Sequence, residues 1–188
     1  MNGIERCIDD EIPFEIPHNW AWTRLGNILY KLSDGTHSTP KYVESGVPFI
    51  SVKDVSGGVL TFDSCKYITE MEHRELYSRC NPQLGDILLT KVGTTGIPVI
   101  VDTNEEFSLF VSVALLKFNQ NLLYNEFLLN MILAPLVQKQ AEENTRGVGN
   151  KNWVMRDIAH TLIVIPPVKE QHRIVAKLKE IYKTWNLL

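Results

Sequence analysis

Short runs of strand-forming residues alternate with polar, glycine-containing loops along most of this 188-residue chain. Branched and aromatic side chains concentrate in these runs, which is typical of β-strands. A chain of this length can bury a sizeable core. We therefore expect a compact α/β domain of the mixed α+β class, with mostly antiparallel strands. The predicted strands lie within residues 21–30 (together with a short helical turn), 47–52, 59–62, 85–92, 97–101, 110–118 and 153–165.

Two stretches before the last twenty residues have helical features. Thr69 followed by Glu72 matches a capping box, which predicts a helix from Thr69 to about Cys80. Apolar residues recur at helical spacing between 122 and 143. Pro135 is expected to kink or split this second helix.

The segment 166–188 predicts an amphipathic helix of a different kind. Its apolar residues form a seam, suited to coiled-coil dimerisation or to a spacer between domains, although the seam covers only about two heptads. The alternative is a helix that packs back on its own domain, and the pattern leaves both open. The expected partner-binding residues are Ile174, Leu178, Ile181, Trp185 and Leu188.

Charge is distributed unevenly along the chain. Residues 1–19 contain five carboxylates, one arginine and two prolines, which predicts an acidic, extended lead-in. The rest is nearly neutral, so contact with nucleic acid would have to be local or shared with a partner protein. We expect three segments: the lead-in at 1–19, a folded domain at 20–165 and the terminal helix at 166–188.

Hydropathy and cysteine content narrow the class of protein. No apolar run approaches the roughly 20 residues of a membrane span, and the N-terminal residues lack the features of a signal peptide. Cys7, Cys65 and Cys80 form no C-x-x-C pair, which indicates free thiols rather than a disulfide framework or a zinc site. We therefore expect a cytoplasmic protein without a membrane contact.

Sequence motifs for catalysis are missing. The chain has no phosphate-binding loop, no dinucleotide-binding fingerprint and no histidine pair at metal-ligand spacing. None of its lysines follows a carboxylate by two residues, a spacing common in nuclease active sites, and no amino-methyltransferase tetrapeptide is present. We therefore expect no catalytic residue, no metal and no cofactor, and we treat a small nuclease or methyltransferase as a minor alternative.

Three loops share a composition suited to DNA. Small hydroxyls and glycine amides can approach phosphates, lysine and arginine add charge, and asparagine or arginine can bind base edges. The same residue types also dominate ordinary turns, so composition alone does not decide between the two roles. The candidate contacts are Thr36, His37, Ser38, Thr39 and Lys41 in loop one (residues 36–41), Lys91, Thr94 and Thr95 in loop two (91–96), and Arg146, Asn150, Lys151 and Asn152 in loop three (145–152).

The order of these segments resembles one target recognition domain of the specificity subunit of type I restriction-modification systems. The resemblance runs from about Trp20 to Leu188, and the I-P-P-V-K-E-Q-H-R-I-V segment is its most specific part. It adds Lys53 as a candidate contact. The motifs that carry it are D-G-T-H-S-T-P-K-Y, V-P-F-I-S-V-K-D-V, L-G-D-I-L-L-T-K-V-G-T-T-G, S-V-A-L-L-K and R-G-V-G-N-K-N-W-V-M-R-D-I.

The resemblance implies a non-catalytic part that reads one half of a bipartite double-stranded DNA target. Methyltransferase subunits would bind S-adenosylmethionine and methylate adenine, and a restriction subunit would use ATP, so neither cofactor is expected here. Only one recognition domain is present, which leaves open a homodimer through the terminal helix that would read an interrupted palindrome. The alternative is an architectural subunit that pairs through this helix and scaffolds partners without reading DNA.

Overall fold

The computed structural model describes residues 7–147 and 151–185. Within these residues the chain forms short strands and five α-helices around a central sheet. The strands are β1 (Ala21–Arg24), β2 (Leu29–Asp34), β3 (Val47–Ile50), β4 (Lys66–Ile68), β5 (Ile87–Thr90), β6 (Pro98–Ile100), β7 (Ser108–Leu109), β8 (Val113–Phe118), β9 (Thr145–Arg146), β10 (Asn152–Trp153) and β11 (Leu162–Ile165). The helices are α1 (Glu70–Arg79), α2 (Asn125–Leu133), α3 (Pro135–Asn144), α4 (Met155–His160) and α5 (Val168–Trp185).

The central sheet has the order β2-β8-β5-β6, and every pairing in it is antiparallel. Strands β5 and β8 are buried along their whole length, so their side chains alternate between two apolar layers. Ile87 and Leu89 face the larger core, which helices α2 to α5 cover, whereas Leu88 faces a second core. The sheet therefore lies between two apolar layers.

Smaller sheets complete the fold. Strands β4, β3 and β7 form a three-stranded sheet over the second core, in which the β3–β7 pair is the one parallel pairing between the strands named above. Strands β1 and β11 pair antiparallel, with Trp22 opposite Val164. These pairings confirm the expectation of a mixed α/β domain with mostly antiparallel strands.

The two predicted helical regions are confirmed. Helix α1 begins after Thr69, whose hydroxyl accepts a hydrogen bond from the backbone N–H of Glu72 at 3.3 Å. The second region is split into α2 and α3 at Ala134, whose extended backbone precedes Pro135 at the first position of α3.

The predicted strand at 59–62 is wrong. Its backbone forms a loop in which the Thr61 N–H donates to the Asp54 carbonyl at 3.0 Å. Leu60 and Phe62 are half-buried against the second core. The strand-forming residues therefore anchor a loop, and the strand in this region is β4, which the sequence reading did not identify.

The first half of α5 packs on its own domain and the second half is exposed. Gln171 is buried, and its side-chain oxygen accepts from the Tyr124 N–H at 2.8 Å at the start of α2. Val175 is also buried in the larger core. From Lys179 to Trp185 every residue is exposed. None of the helices among the described residues has the length and apolar character needed to cross a bilayer.

Residues of the acidic lead-in, upstream of Trp20, contact the folded domain. The rings of Phe14 and Trp22 meet edge to face at 5.0 Å between centroids. The Arg24 guanidinium forms an ion pair with Glu11 and also donates to the His160 carbonyl. The lead-in therefore lies along β1, and a fold boundary at residue 19 remains a prediction.

Candidate nucleic-acid interface

Strand register brings the candidate loops to one end of the central sheet. Strand β2 ends at Asp34, which pairs with Ala114, and β5 ends at Thr90, which pairs with Val113. Because both strands run antiparallel to β8, the ends of β2 and β5 lie beside the start of β8. Loop one follows β2 and loop two follows β5, so the two loops leave the sheet at the same end.

The carboxylate of Asp34 joins loop one to loop two. Its Oδ2 atom lies 3.2 Å from His37 Nε2 and 3.3 Å from Lys91 Nζ. The Lys91 ammonium also donates to the Val111 carbonyl at 3.2 Å. A buried cation with a carboxylate and a carbonyl as acceptors is electrostatically compensated. These contacts therefore join loop one to loop two below the protein surface.

Ser112 connects loop two to the short 3-10 turn that carries Lys53. Its carbonyl accepts from the backbone N–H groups of Lys91 at 2.9 Å and Val92 at 3.4 Å. Its hydroxyl accepts from the Val52 N–H at 3.0 Å. The neighbouring Val111 N–H donates to the Thr36 carbonyl of loop one at 2.9 Å. The segment before β8 thus contacts three of the four candidate stretches.

Loop three is attached to loop two by backbone hydrogen bonds. The Gly93 N–H donates to the Lys151 carbonyl at 2.9 Å, and the Trp153 N–H donates to the Lys91 carbonyl at 2.8 Å. The hydroxyls of Thr95 and Thr145 lie 3.4 Å apart. The Trp153 side chain is fully buried in the larger core, which fixes the end of loop three. The described parts of all three loops are therefore contiguous.

Most of the predicted contacts present their side chains to solvent at this end. Thr36, Thr95 and Asn152 are half-buried, Asn150 lies outside the described residues, and Lys91 is buried. The exposed residues are His37, Ser38, Thr39, Lys41, Lys53, Thr94, Arg146 and Lys151.

Lys91 requires a correction. Only 4% of its side chain is exposed, and its ammonium is directed to Asp34 and Val111 rather than to solvent. A cation at the end of a fully buried strand needs an internal partner, and Asp34 supplies one. The buried position of Lys91 therefore does not fit its predicted role as a DNA contact, and in this fold its ammonium bonds to partners within the domain.

Two exposed arginines lie at loop three. Arg146 was predicted from the sequence as a DNA contact, and Arg156 was not. Arg146 is 72% exposed, with Nη2 3.9 Å from the half-buried Asp157 carboxylate. Arg156, at the start of α4, is also exposed and lies 3.2 Å from the same carboxylate. The closeness of Arg156 in sequence to the R-G-V-G-N-K-N loop was the available signal for this residue. The two arginines flank one acid, which leaves a net positive charge.

The predicted partner residues on α5 differ in how far they are exposed. Ile174 packs against the larger core and Leu178 is half-buried. Ile181 and Trp185 are 44% and 72% exposed. Leu188 lies outside the described residues. Among the four members of this set that the structure describes, Ile181 and Trp185 are therefore the ones exposed enough to meet a partner.

One polar cluster has the residue types of a hydrolase triad, but its histidine and serine are buried. His73 on α1 lies 2.9 Å from the Ser108 hydroxyl and 3.1 Å from the Glu106 carboxylate. Ser108 is wholly buried, so no substrate can reach its hydroxyl. The cluster attaches α1 to β7. No group of three His, Cys, Asp or Glu side chains in residues 7–147 and 151–185 could hold a metal ion.

Comparison with known proteins finds similar chains among the specificity subunits of type I restriction enzymes. The chain is 24% identical over 176 residues to the specificity subunit of the type I restriction enzyme EcoBI of Escherichia coli, covering 92% of this chain and 37% of that subunit. It is 24% identical over 186 residues to the EcoAI specificity subunit of the same organism, covering 96% of this chain and 31% of that subunit. The chain thus spans about a third of the length of these curated relatives.

Solved structures share the fold. The crystal structure of the HsdS subunit from Thermoanaerobacter tengcongensis superposes with a TM-score of 0.63 at 21% identity, over 92% of this chain and 39% of that one. A chain from a study of complex assembly and conformational transition in a type I R-M system gives a TM-score of 0.65 at 21% identity, covering 92% and 40%. The model of the type I restriction modification DNA specificity domain matches residues 17–188. The chain therefore belongs to the family of type I restriction modification DNA specificity domains.

Proposed function

We propose that this chain is a sequence-specific DNA recognition module that reads one half of a bipartite target for a type I restriction-modification complex. The observation that carries the proposal is the convergence of loops one, two and three, with the Lys53 turn, at one end of the central sheet. Family membership supports the same role, since the matching model is a DNA specificity domain.

The chemistry of the exposed side chains suits a DNA duplex. Lys41, Lys53, Arg146 and Lys151 supply positive charge at the loop end. Such side chains bind phosphates, and the binding they provide falls as salt rises because counterions are released. Hydroxyls and amides beside them can reach phosphates and base edges. A local cluster of this kind explains how a nearly neutral domain could bind DNA.

The proposed role is non-catalytic. Within type I complexes, methyltransferase subunits would supply S-adenosylmethionine chemistry on adenine, and a restriction subunit would supply ATP-driven cleavage. This chain would bring both to the target site. We place the complex in the cytoplasm, where its three free cysteines would remain reduced.

A second candidate role is supported by the end of α5. Ile181, Tyr182 and Trp185 are large apolar side chains on an exposed helical segment. Exposed apolar clusters of this kind mark protein contacts. We propose that this segment pairs with a second copy of the chain, which would join two recognition modules. A chain that pairs here without reading DNA would be an architectural subunit.

Selection from a pool of random duplexes tests the recognition role. The wild-type chain, alone and with a type I methyltransferase subunit, should enrich one short motif. A variant with Lys41→Gln, Arg146→Gln and Lys151→Gln should bind that motif much more weakly, and its slope of log affinity against log salt should be smaller in magnitude by about 3. Assembly with the methyltransferase subunit should be unchanged.

The matched control removes three exposed lysines on helices instead, with Lys139→Gln, Lys169→Gln and Lys177→Gln. It carries the same change of net charge and should retain the motif and most of the affinity. Equal binding by wild type and the loop variant would contradict the recognition role. Intact assembly without any enriched motif would favour the architectural one.

A further inference from the structure

Arg79, the last residue of α1, lies against the junction between β2 and loop one, although it is distant from that junction in sequence. Its Nη2 atom donates to the carbonyl of Asp34 at 3.0 Å and to the carbonyl of Gly35. Despite these bonds, 54% of its side chain is exposed. The guanidinium is thus fixed at one edge and open to solvent at the other.

The open edge of Arg79 carries unused donors. Among residues 7–147 and 151–185, its Nε and Nη1 atoms make no hydrogen bond. The nearest carboxylate oxygen, Asp34 Oδ1, is 3.9 Å from Nη2, beyond hydrogen-bond range. The other oxygen of that carboxylate serves Lys91 and His37. Because Lys91 already balances Asp34, the charge of Arg79 is not compensated locally.

Close backbone packing holds the acceptors of Arg79 in place. A Cβ atom built on Gly35 would lie 2.0 Å from the Leu109 carbonyl oxygen and 2.4 Å from the Phe110 carbonyl carbon. At Gly35, where the chain enters loop one, the backbone therefore approaches Leu109 and Phe110 as closely as only glycine permits. The Thr36 N–H also donates to the Leu109 carbonyl at 2.9 Å. Arg79 is consequently bonded to a closely packed part of the candidate interface.

We propose that Arg79 contacts a backbone phosphate of the bound DNA, beside His37 and the hydroxyls of loop one. This inference rests on the proposed function and assigns a specific cation to it. Guanidinium binds phosphate oxygens with paired N–H donors, and an arginine held at one edge loses little conformational entropy when its other donors bind. In this arrangement Arg79, and not Lys91, supplies the positive charge where loop one meets loop two.

The test compares Arg79→Gln and Arg79→Lys with Arg74→Gln, a change of the same charge at an exposed position on the same helix. Binding is measured on the motif enriched by the wild-type full chain, across a salt series. For Arg79→Gln we expect roughly tenfold weaker binding at low salt and a salt slope smaller by about 1, equally on the motif and on unrelated duplexes. Arg79→Lys should recover most of the slope, and Arg74→Gln should match wild type.

The outcomes separate this inference from the proposed function. If wild type enriches a motif but Arg79→Gln keeps its slope, the contact is refuted while recognition stands. A loss confined to the enriched motif would show a base contact and would also refute it. If Arg79→Gln lowers the thermal midpoint and weakens binding with an unchanged slope, its role is structural. Failure of wild type to bind any duplex would overturn both proposals.

Discussion

The carboxylate of Asp34 and the ammonium of Lys91 lie 3.3 Å apart at the end of the central sheet, joining residues that are 57 positions apart in sequence. Only 12% of the Asp34 side chain and 4% of the Lys91 side chain are exposed. Removing one member of a buried pair leaves an uncompensated charge, which costs more than the pair itself contributes.

Asp34→Asn should therefore lower the free energy of unfolding by about 3 kcal/mol, because the buried Lys91 ammonium loses its negatively charged partner. The double variant Asp34→Asn/Lys91→Met should lose less than the sum of the two single changes, since neither charge is then left alone. Urea unfolding of the four proteins measures this coupling. Additive losses would show that the two side chains do not interact.

Lys91→Met should weaken DNA binding without changing its salt dependence. The buried ammonium positions the loops but releases no counterion from a phosphate, so only the affinity should fall. Lys151→Gln is the matched comparison, because Lys151 is exposed on loop three and its loss should reduce the salt slope by about 1. A smaller slope for Lys91→Met would mean that the side chain reaches the DNA after all.

Gly35→Ala should destabilise the domain by roughly 2 kcal/mol and displace loop one, since the added methyl group meets the backbone of Leu109 and Phe110. Gly57→Ala is the control, because nothing lies within 4 Å of its built Cβ atom. That change should leave the thermal midpoint unchanged or raise it slightly. Equal midpoints for both variants would contradict the close approach of loop one.

Local signals were sufficient for much of the fold. The hydroxyl of Thr69 and the ring of Pro135 act within one helical turn, so the bounds of α1 and the break between α2 and α3 could be predicted from neighbouring residues. The loop at 59–62 could not, because Leu60 and Phe62 are packed by distant parts of the chain. Strand-forming residues indicate that a segment is half-buried, but they do not identify the strand with which it would pair.

The interface was predictable in composition and not in geometry. Lys41 and Arg146 are exposed as their polar surroundings suggest, whereas Lys91 is buried because Asp34 lies beneath it. No loop pattern in the sequence indicated Arg79 as a contact, because it is the last residue of a helix. It reaches the start of loop one only through the tertiary fold. Ser112 likewise stands in a strand-like run, and its three backbone and side-chain contacts depend on the register of β8.

Thiol reactivity should distinguish Cys7 from the other two cysteines. Cys7 is exposed, and Cys65 and Cys80 are buried. Burial raises the pKa of the Cys65 and Cys80 thiols, so at pH 8 both have less thiolate than a free cysteine and are also shielded from reagent. A maleimide should therefore modify the native chain once and the unfolded chain three times, as counted by mass spectrometry. Cys7→Ser should abolish the native modification, and rapid labelling of Cys80 would contradict its burial.

The end of α5 should control self-association without affecting the fold. Ile181 and Trp185 are exposed, so Ile181→Lys/Trp185→Lys should leave the thermal midpoint close to wild type while removing apolar area that the proposed dimer would bury. Light scattering should then change from the mass of two chains to that of one. Met71→Lys/Leu122→Lys, which replaces two other exposed apolar residues outside α5, should remain dimeric. A dimer that survives the α5 changes would place the interface on another surface, and a monomeric wild-type chain at micromolar concentration would refute pairing through this helix.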